Sequence, residues 1–315
     1  MNSFTRATAI VLSIVVVLII SGCGGGSSPS NTQSPPHVSG WTWISGANTS
    51  DQFGVYGTQG TASPSSVPGA RQGSVSWKDK SGNLWLFGGN GLVTPGSNGR
   101  FNDLWKFDGK NWTWVAGANA AEQLGVYGTR GTPSSSNVPG SRESSISWTD
   151  SNGNFWLLGG SGLDSAGTPG YLNDLWKFDG SNWTWVSGAN VVDHLGVYGT
   201  HGMAAPSNEP GARSDSISWI DSSGNLWLLG GIGSDSLGMR PFGCLNDLWK
   251  FDGSSWTWVS GANVNDQSGV YGTQGTAAPS NVPGGRDDSI SWIDSRGTSG
   301  FSAVMASTPA RDVPI

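Results

Sequence analysis

Short runs of alternating or continuous apolar residues, each stopped by Gly, Asn, Asp or Pro, fill most of the chain. Arg71 to Val115 sets the pattern. Ser74-Val75-Ser76-Trp77 reads as a first strand, closed by the turn Lys80-Ser81-Gly82. Asn83 to Phe87 (NLWLF) reads as a second, ending at Gly88-Gly89, and it is apolar on both faces, as a sheet sandwiched between sheets requires. After a loop of variable length, Asn102 to Phe107 (NDLWKF) reads as a third. Asp108-Gly109 is a hairpin signal, and Trp112-Thr113-Trp114-Val115 is the fourth strand.

The same unit recurs as SWTDSNGNFWLLGG…NDLWKFDGSNWTWV and SWIDSSGNLWLLGG…NDLWKFDGSSWTWV. Trp41, Trp112, Trp183 and Trp256 are spaced by 71, 71 and 73 residues, and so are Arg71, Arg142, Arg213 and Arg286. Tyr56, Tyr127, Tyr198 and Tyr271 keep the same spacing, each in GVYGT. All 18 Trp fall on repeat positions, which points to structure before function. Four short antiparallel strands per unit, stacked about an axis, make a propeller blade.

An Arg, an apolar strand ending in Gly-Gly, Asn-Asp-Leu-Trp and a closing Trp together resemble the kelch motif, over about residues 41 to 296. The resemblance implies an all-β, kelch-type β-propeller with three complete four-stranded blades and partial blades at both ends. It further implies a binding platform or, less often, an enzyme scaffold such as the copper-radical galactose oxidase. The period departs from that family, whose units run to about 50 residues; the excess lies between each fourth strand and the next first strand. In an up-down meander, the second-to-third and fourth-to-first connections leave by one end. Both long loops therefore share a face, the expected interaction surface.

Composition changes the picture mainly by exclusion. Gly is twice as frequent as usual, and charged residues form 12% of the chain against the usual figure of about 25%. The net charge of −6 provides no basic surface for phosphates, so nucleic acid is not an expected partner. At the N-terminus, Arg6 precedes the apolar run Ala9–Ile20, which is short for a membrane span, and Ile20-Ser21-Gly22-Cys23 follows. That pattern resembles the bacterial lipobox. It implies a signal peptide over 1–22, acylation of Cys23, a flexible tether over 23–40 and lipid anchoring in the cell envelope, at the outer membrane or cell surface. The repeats occupy 41–297, and 298–315 reads as a non-repeat tail.

Candidate chemistry is sparse. Copper would need imidazole and phenolate ligands brought together, whereas the histidines are His37 in the tether and His194 and His201 in one insertion. No cofactor and no metal site are expected. Asp103, Asp174 and Asp247 occur once per unit, which favours a structural pairing with the repeated Arg residues over catalysis. Arg71, Arg142 and Arg213 with Tyr56, Tyr127 and Tyr198 are the candidate ligand contacts. The alternative for the tyrosines is that each pins its own insertion to the blade. Cys244 reads as a bystander. The expected function is a non-catalytic, lipid-anchored module that recognises a protein or glycan through the long-loop face. The alternatives are a carbohydrate-active enzyme on the same propeller, or a truncated copy of a longer protein. The last arises because a fourth blade would draw an outer strand from 41–44 and an inner one from 289–292, with the two between them missing. Self-association through open blade edges is the corresponding expectation.

Overall fold

The computed structural model describes residues 42–238, 242–293, 299–302 and 305–306. Cys23 and the segments expected to form a leader and a tether, residues 1–22 and 23–40, lie outside that range. All regular structure among the described residues is β. None of it is a helix long and apolar enough to cross a membrane. The first unit folds into one antiparallel sheet of Val75–Lys78, Leu84–Phe87, Leu104–Phe107 and Trp112–Ala116, paired in chain order. The second uses Ile146–Thr149, Phe155–Leu163, Pro169–Phe178 and Trp183–Ser187. The third uses Ile217–Ile220, Leu226–Leu229, Leu248–Phe251 and Trp256–Ser260. The first strands of successive sheets are neighbours in the order 75–78, 146–149, 217–220 and 290–293. The sheets therefore stand around a common axis as β-propeller blades.

The core lies between blades and is aromatic. Trp77 stacks on Phe155 at 5.3 Å, with the rings 9° apart, and Phe87 leans on Trp183 at 5.5 Å. One blade later, Trp156 meets Phe251 of the third blade edge-on at 5.7 Å. The second strands are apolar on both faces because both faces meet a neighbouring sheet: Leu157 lies in the core shared with the first blade and Leu158 in that shared with the third.

The Gly-Gly pairs mark where neighbouring backbones touch. Gly89 N donates to Arg142 O of the next blade at 2.8 Å, and Gly231 N does the same to Arg286 O. A Cβ on Gly159 would lie 2.7 Å from Leu172 O and 2.8 Å from Arg213 O, at a φ of +59°, so only glycine fits.

Two features were not legible as strands. The variable loop forms a small sheet with the Arg segment: Arg71–Gln72, Asn90–Thr94 and Ser97–Arg100 in the first unit. The 26-odd residues before each blade wrap its outer edge, since Gly60 N donates to Trp114 O at 2.8 Å and Ser63 bridges Trp112. Gly131 and Gly202 repeat that bond to Trp185 and Trp258. The insertions thus cover the unpaired rim of the fourth strand, the edge most open to wrong pairing.

The ends depart from the expected counting of strands. Residues 42–44 are not paired in any sheet among the described residues, although Trp43 Nε1 donates to Ser45 O as the fourth-strand Trp114 does to Ala116 O. At the other end, Ser299–Ser302 pairs with Ile290–Ile293, and Met305–Ala306 pairs with Arg286–Asp287. Strand pairing thus runs past Gly297, where the residue motif stops, so a second strand is present in the fourth unit. Backbone pairing needs no particular side chains, which is why the motif did not announce it.

One core defect yields a prediction. Trp112 Nε1 donates to Ser45 Oγ at 3.2 Å, but the residue 71 positions after Ser45 is Ala116, and Trp183 Nε1 is buried without a partner. Ala116 packs against the cluster that holds Trp183. Ala116→Ser should therefore raise the unfolding free energy by about 1 kcal/mol, measured by urea titration, by satisfying a buried donor. An unchanged or lower midpoint would show that the serine does not reach the indole.

Candidate functional site

The repeated Arg, Tyr, Asp and Trp residues come together as one cluster per blade. Arg142 Nη1 and Nη2 donate to the two oxygens of Asp174 at 2.6 and 2.7 Å. Tyr127 OH and Trp176 Nε1 each donate to Asp174 Oδ2 at 2.7 Å. The remaining guanidinium contacts are to carbonyls, Nε to Gly140 O at 2.9 Å and Nη1 to Gly159 O at 3.1 Å. Arg71, Asp103, Tyr56 and Trp105 repeat this arrangement, with ion-pair distances of 2.6 and 2.9 Å. So do Arg213, Asp247, Tyr198 and Trp249, at 2.8 and 2.7 Å.

The fold builds each cluster from distant parts of a unit: the Tyr from the insertion, the Arg just ahead of the first strand, the Asp and Trp at the start of the third. Tyr127 also packs on Trp176 at 4.9 Å and edge-on to Trp185 at 5.1 Å, so the insertion is pinned by both its hydroxyl and its ring. Burial would raise the Asp247 carboxyl, but the Arg213 guanidinium and the Tyr198 and Trp249 donors hold it below the usual carboxylate range. Burial and the adjacent Asp174 carboxylate push the Tyr127 phenol far above its ordinary value, and burial and Asp247 do the same to Tyr198. Each carboxylate accepts from four donors, two on the Arg and one each on the Tyr and Trp. Each guanidinium is paired bidentately and buried, with side-chain exposures of 5%, 1% and 1% for Arg71, Arg142 and Arg213. The six candidate ligand contacts are thus brought together, two per blade, in clusters that lock an insertion to its blade.

Above the clusters, the two long loops of each unit meet on one face. Glu122 N donates to Arg100 O at 2.8 Å while Glu122 Oε1 accepts from Arg100 N at 2.8 Å. Asp193 clasps Tyr171, and Asp266 clasps Cys244, in the same way. These acids hold φ values of +56°, +59° and +55°. The clasp ties each insertion to the hairpin of the blade before it. Burial, then Asp287 and Asp266, push the Cys244 thiol up, which disfavours the reactive thiolate.

The same face carries a repeated apolar pair that the sequence reading passed over. Phe53 and Val55, Leu124 and Val126, and Leu195 and Val197 are all exposed, between 40% and 48%. They stand three residues and one residue before each of the first three GVYGT tyrosines, at the repeat spacing, so the periodicity did contain them. A cleft of about 510 Å³ opens beside Phe53, between it and Leu92, Pro95 and Asn98.

Nearer the axis, Ser144 N donates to Gly73 O at 2.8 Å, Asp215 N to Ser144 O at 3.2 Å, and Asp288 N to Asp215 O at 3.2 Å. This chain of bonds links four blades through residues at positive φ. It borders a small polar cleft with Ser145, Ser216 and Ser289. Burial, then Asp215 and Asp287, raise the Asp288 carboxyl.

The histidines take separate places. His201 packs edge-on to Trp258 at 4.8 Å, where Arg130 covers Trp185 in the preceding unit, and His194 Nδ1 is buried without a partner. Among the described residues, no group of three or more His, Cys, Asp or Glu is placed to hold a metal ion. Asp108 and Asp179 cap their hairpins by accepting from the backbone amides two and three residues on.

No protein-family model and no curated protein matches the chain. Solved structures similar to it are remote. YjhT is 14% identical, over 71% of this chain and 59% of that one, with a TM-score of 0.39. A protein of unknown function from Dyadobacter fermentans is 12% identical, over 65% and 54%, with a TM-score of 0.36. An endo-arabinase from Bacteroides thetaiotaomicron is 9% identical, over 72% and 68%, with a TM-score of 0.35. The chain spans less than two thirds of the length of the first two.

Proposed function

We propose that this protein is a kelch-type propeller used as a binding module, tethered to the bacterial cell envelope by lipid on Cys23, and that the long-loop face recognises a protein or glycan. The observation that carries the reading is the repeated exposed apolar pair on that face, Phe53–Val55, Leu124–Val126 and Leu195–Val197. Each pair sits next to a tyrosine that is locked into the blade, so apolar contacts are presented from rigid supports. One half-exposed ring, Phe53, with branched aliphatic chains at the other five positions suits sugar faces or peptide side chains better than it suits anions. The face offers few cations, and the Arg residues beneath it are already paired.

A glycan and peptide array probed with the protein is the test. Saturable binding to a neutral glycan or peptide class supports the reading; no binding across either array counts against it. The tether is tested separately. Cys23→Ala should abolish acyl labelling and leave an unprocessed precursor, and normal maturation of that variant with retention on the membrane would refute lipidation.

A further inference from the structure

The hairpin tip of the first blade stands off its own insertion, and those of the second and third do not. Gly96, Gly167 and Gly238 hold the same place in the three tips, eight residues after the first glycine of each Gly-Gly pair. A Cβ on Gly167 would lie 2.9 Å from Leu124 Cδ2, and one on Gly238 would lie 3.2 Å from Leu195 Cδ2. A Cβ on Gly96 would meet nothing within 4 Å. The second and third tips thus rest on the leucine that corresponds to Phe53, whereas in the first unit the cleft of about 510 Å³ lies between Phe53 and the hairpin. One position accounts for the difference. Asp164 folds the second tip by accepting from Ala166 N and Thr168 N, each at 2.8 Å, and Asp235 folds the third by accepting from Leu237 N and Gly238 N. Both also accept from the next insertion, at Val192 N and Asn265 N. Val93 occupies that position in the first unit and carries no side-chain acceptor. Its tip continues instead as the ladder of Asn90–Thr94 with Ser97–Arg100.

We infer that this cleft of the first blade is a binding subsite for a neutral sugar unit, stacked on the ring of Phe53. The inference rests on the reading of the long-loop face as the recognition surface and assigns that surface a ligand class and a place. The cleft falls within the roughly 300–1,000 Å³ of small-molecule sites, and it has their mixed lining. Phe53 supplies one aromatic ring, Leu92 and Pro95 supply aliphatic carbon, Asp51 a carboxylate and Asn98 an amide. A pyranose presents C–H groups on its faces and hydroxyls around its edge. The ring therefore takes a face, while Asp51 accepts from hydroxyls and Asn98 both donates and accepts. An apolar peptide side chain would cover the ring and leave the carboxylate facing carbon. An anionic ligand would meet the Asp51 charge. Among the first three units the aromatic ring stands only where the tip leaves room for a ligand; Leu124 and Leu195 take its place where the tip closes.

The probes are neutral gluco-, galacto- and manno-oligosaccharides, printed beside a peptide array and then titrated into the full chain in detergent by calorimetry. Saturable binding of one sugar class is expected, and its affinity should be unmoved by raised salt. Phe53→Leu gives the first unit the residue of its counterparts, keeping the apolar pair but removing the ring, and should weaken sugar binding about fivefold to tenfold. Leu195→Ala, on the closed third unit, should leave the affinity within about twofold of the parent's. Both side chains are close to half exposed, so melting curves should not move. Sugar affinity equal in Phe53→Leu and the parent, or weakened as much by Leu195→Ala as by Phe53→Leu, would overturn the inference and leave the long-loop face as the recognition surface. So would saturable binding to peptides alone, or binding that collapses with salt. Binding to neither array would overturn both the subsite and the reading on which it rests.

Discussion

Asp174→Ala should lower the unfolding free energy by about 3–5 kcal/mol, a large share of the 5–15 kcal/mol typical of a folded domain. The carboxylate accepts four hydrogen bonds, two from Arg142 and one each from Tyr127 and Trp176, and it is fully buried. Removing it strands a guanidinium with 1% side-chain exposure and two further donors in a dry core. The loss measures the unpaired charge more than the worth of the ion pair. A double variant, Arg142→Met with Asp174→Leu, should therefore recover much of the deficit. Urea unfolding of the three proteins decides it. A single variant within 1 kcal/mol of the parent would mean that water reaches the cluster and that the repeated Arg–Asp pairs do not hold the blades. Because Tyr127 loses its acceptor as well, the insertion around it should become more sensitive to protease in the single variant.

Above about pH 10, stability should fall by about 1.4 kcal/mol per pH unit from each of Tyr127 and Tyr198. Both phenols are held above their ordinary value, chiefly by burial and then by the neighbouring carboxylate, because ionisation would place a phenolate against Asp174 or Asp247. A group whose folded pKa is raised stabilises the fold fully below its unfolded pKa. That contribution is lost as pH climbs from the unfolded value towards the folded one, so the sign is destabilising with rising pH. The tyrosinate absorbance of the buried pair should appear only together with loss of near-ultraviolet ellipticity. The double variant Tyr127→Phe/Tyr198→Phe starts less stable at pH 8 but should lose stability less steeply above pH 10. Equal slopes for parent and variant would contradict the placement of these hydroxyls.

Much of this architecture was written in the residue pattern, because a repeated unit states its own period. The four strands per blade, the Asp-Gly hairpins and the meeting of both long loops on one face follow from spacing and turn chemistry. The Arg–Asp partnership was also legible, since both residues recur once per blade. What the pattern did not reveal depended on backbone. The chain of bonds through Gly73, Ser144, Asp215 and Asp288 and the wrapping of the outer edge by Gly60, Gly131 and Gly202 use peptide groups, which every residue has. The pairing of Ser299–Ser302 arose the same way, in a segment that spells no motif. The clasp acids, Glu122, Asp193 and Asp266, were within reach of the periodicity. Their role needed the left-handed backbone at each position, which acidic residues adopt only when held there.

These observations divide each unit into a buried cluster that holds the blade and an exposed apolar pair, which we propose meets the ligand. The most direct test applies one glycan and peptide array, with melting curves alongside, to two variants. In the first, Phe53, Leu124 and Leu195 are all changed to Ser; in the second, Tyr127 is changed to Phe. The loop variant should lose array binding at an unchanged melting temperature, while Tyr127→Phe should melt several degrees lower and keep the parent's binding profile. Array binding that survives the loop variant, or that disappears in Tyr127→Phe without a fall in melting temperature, would contradict the division.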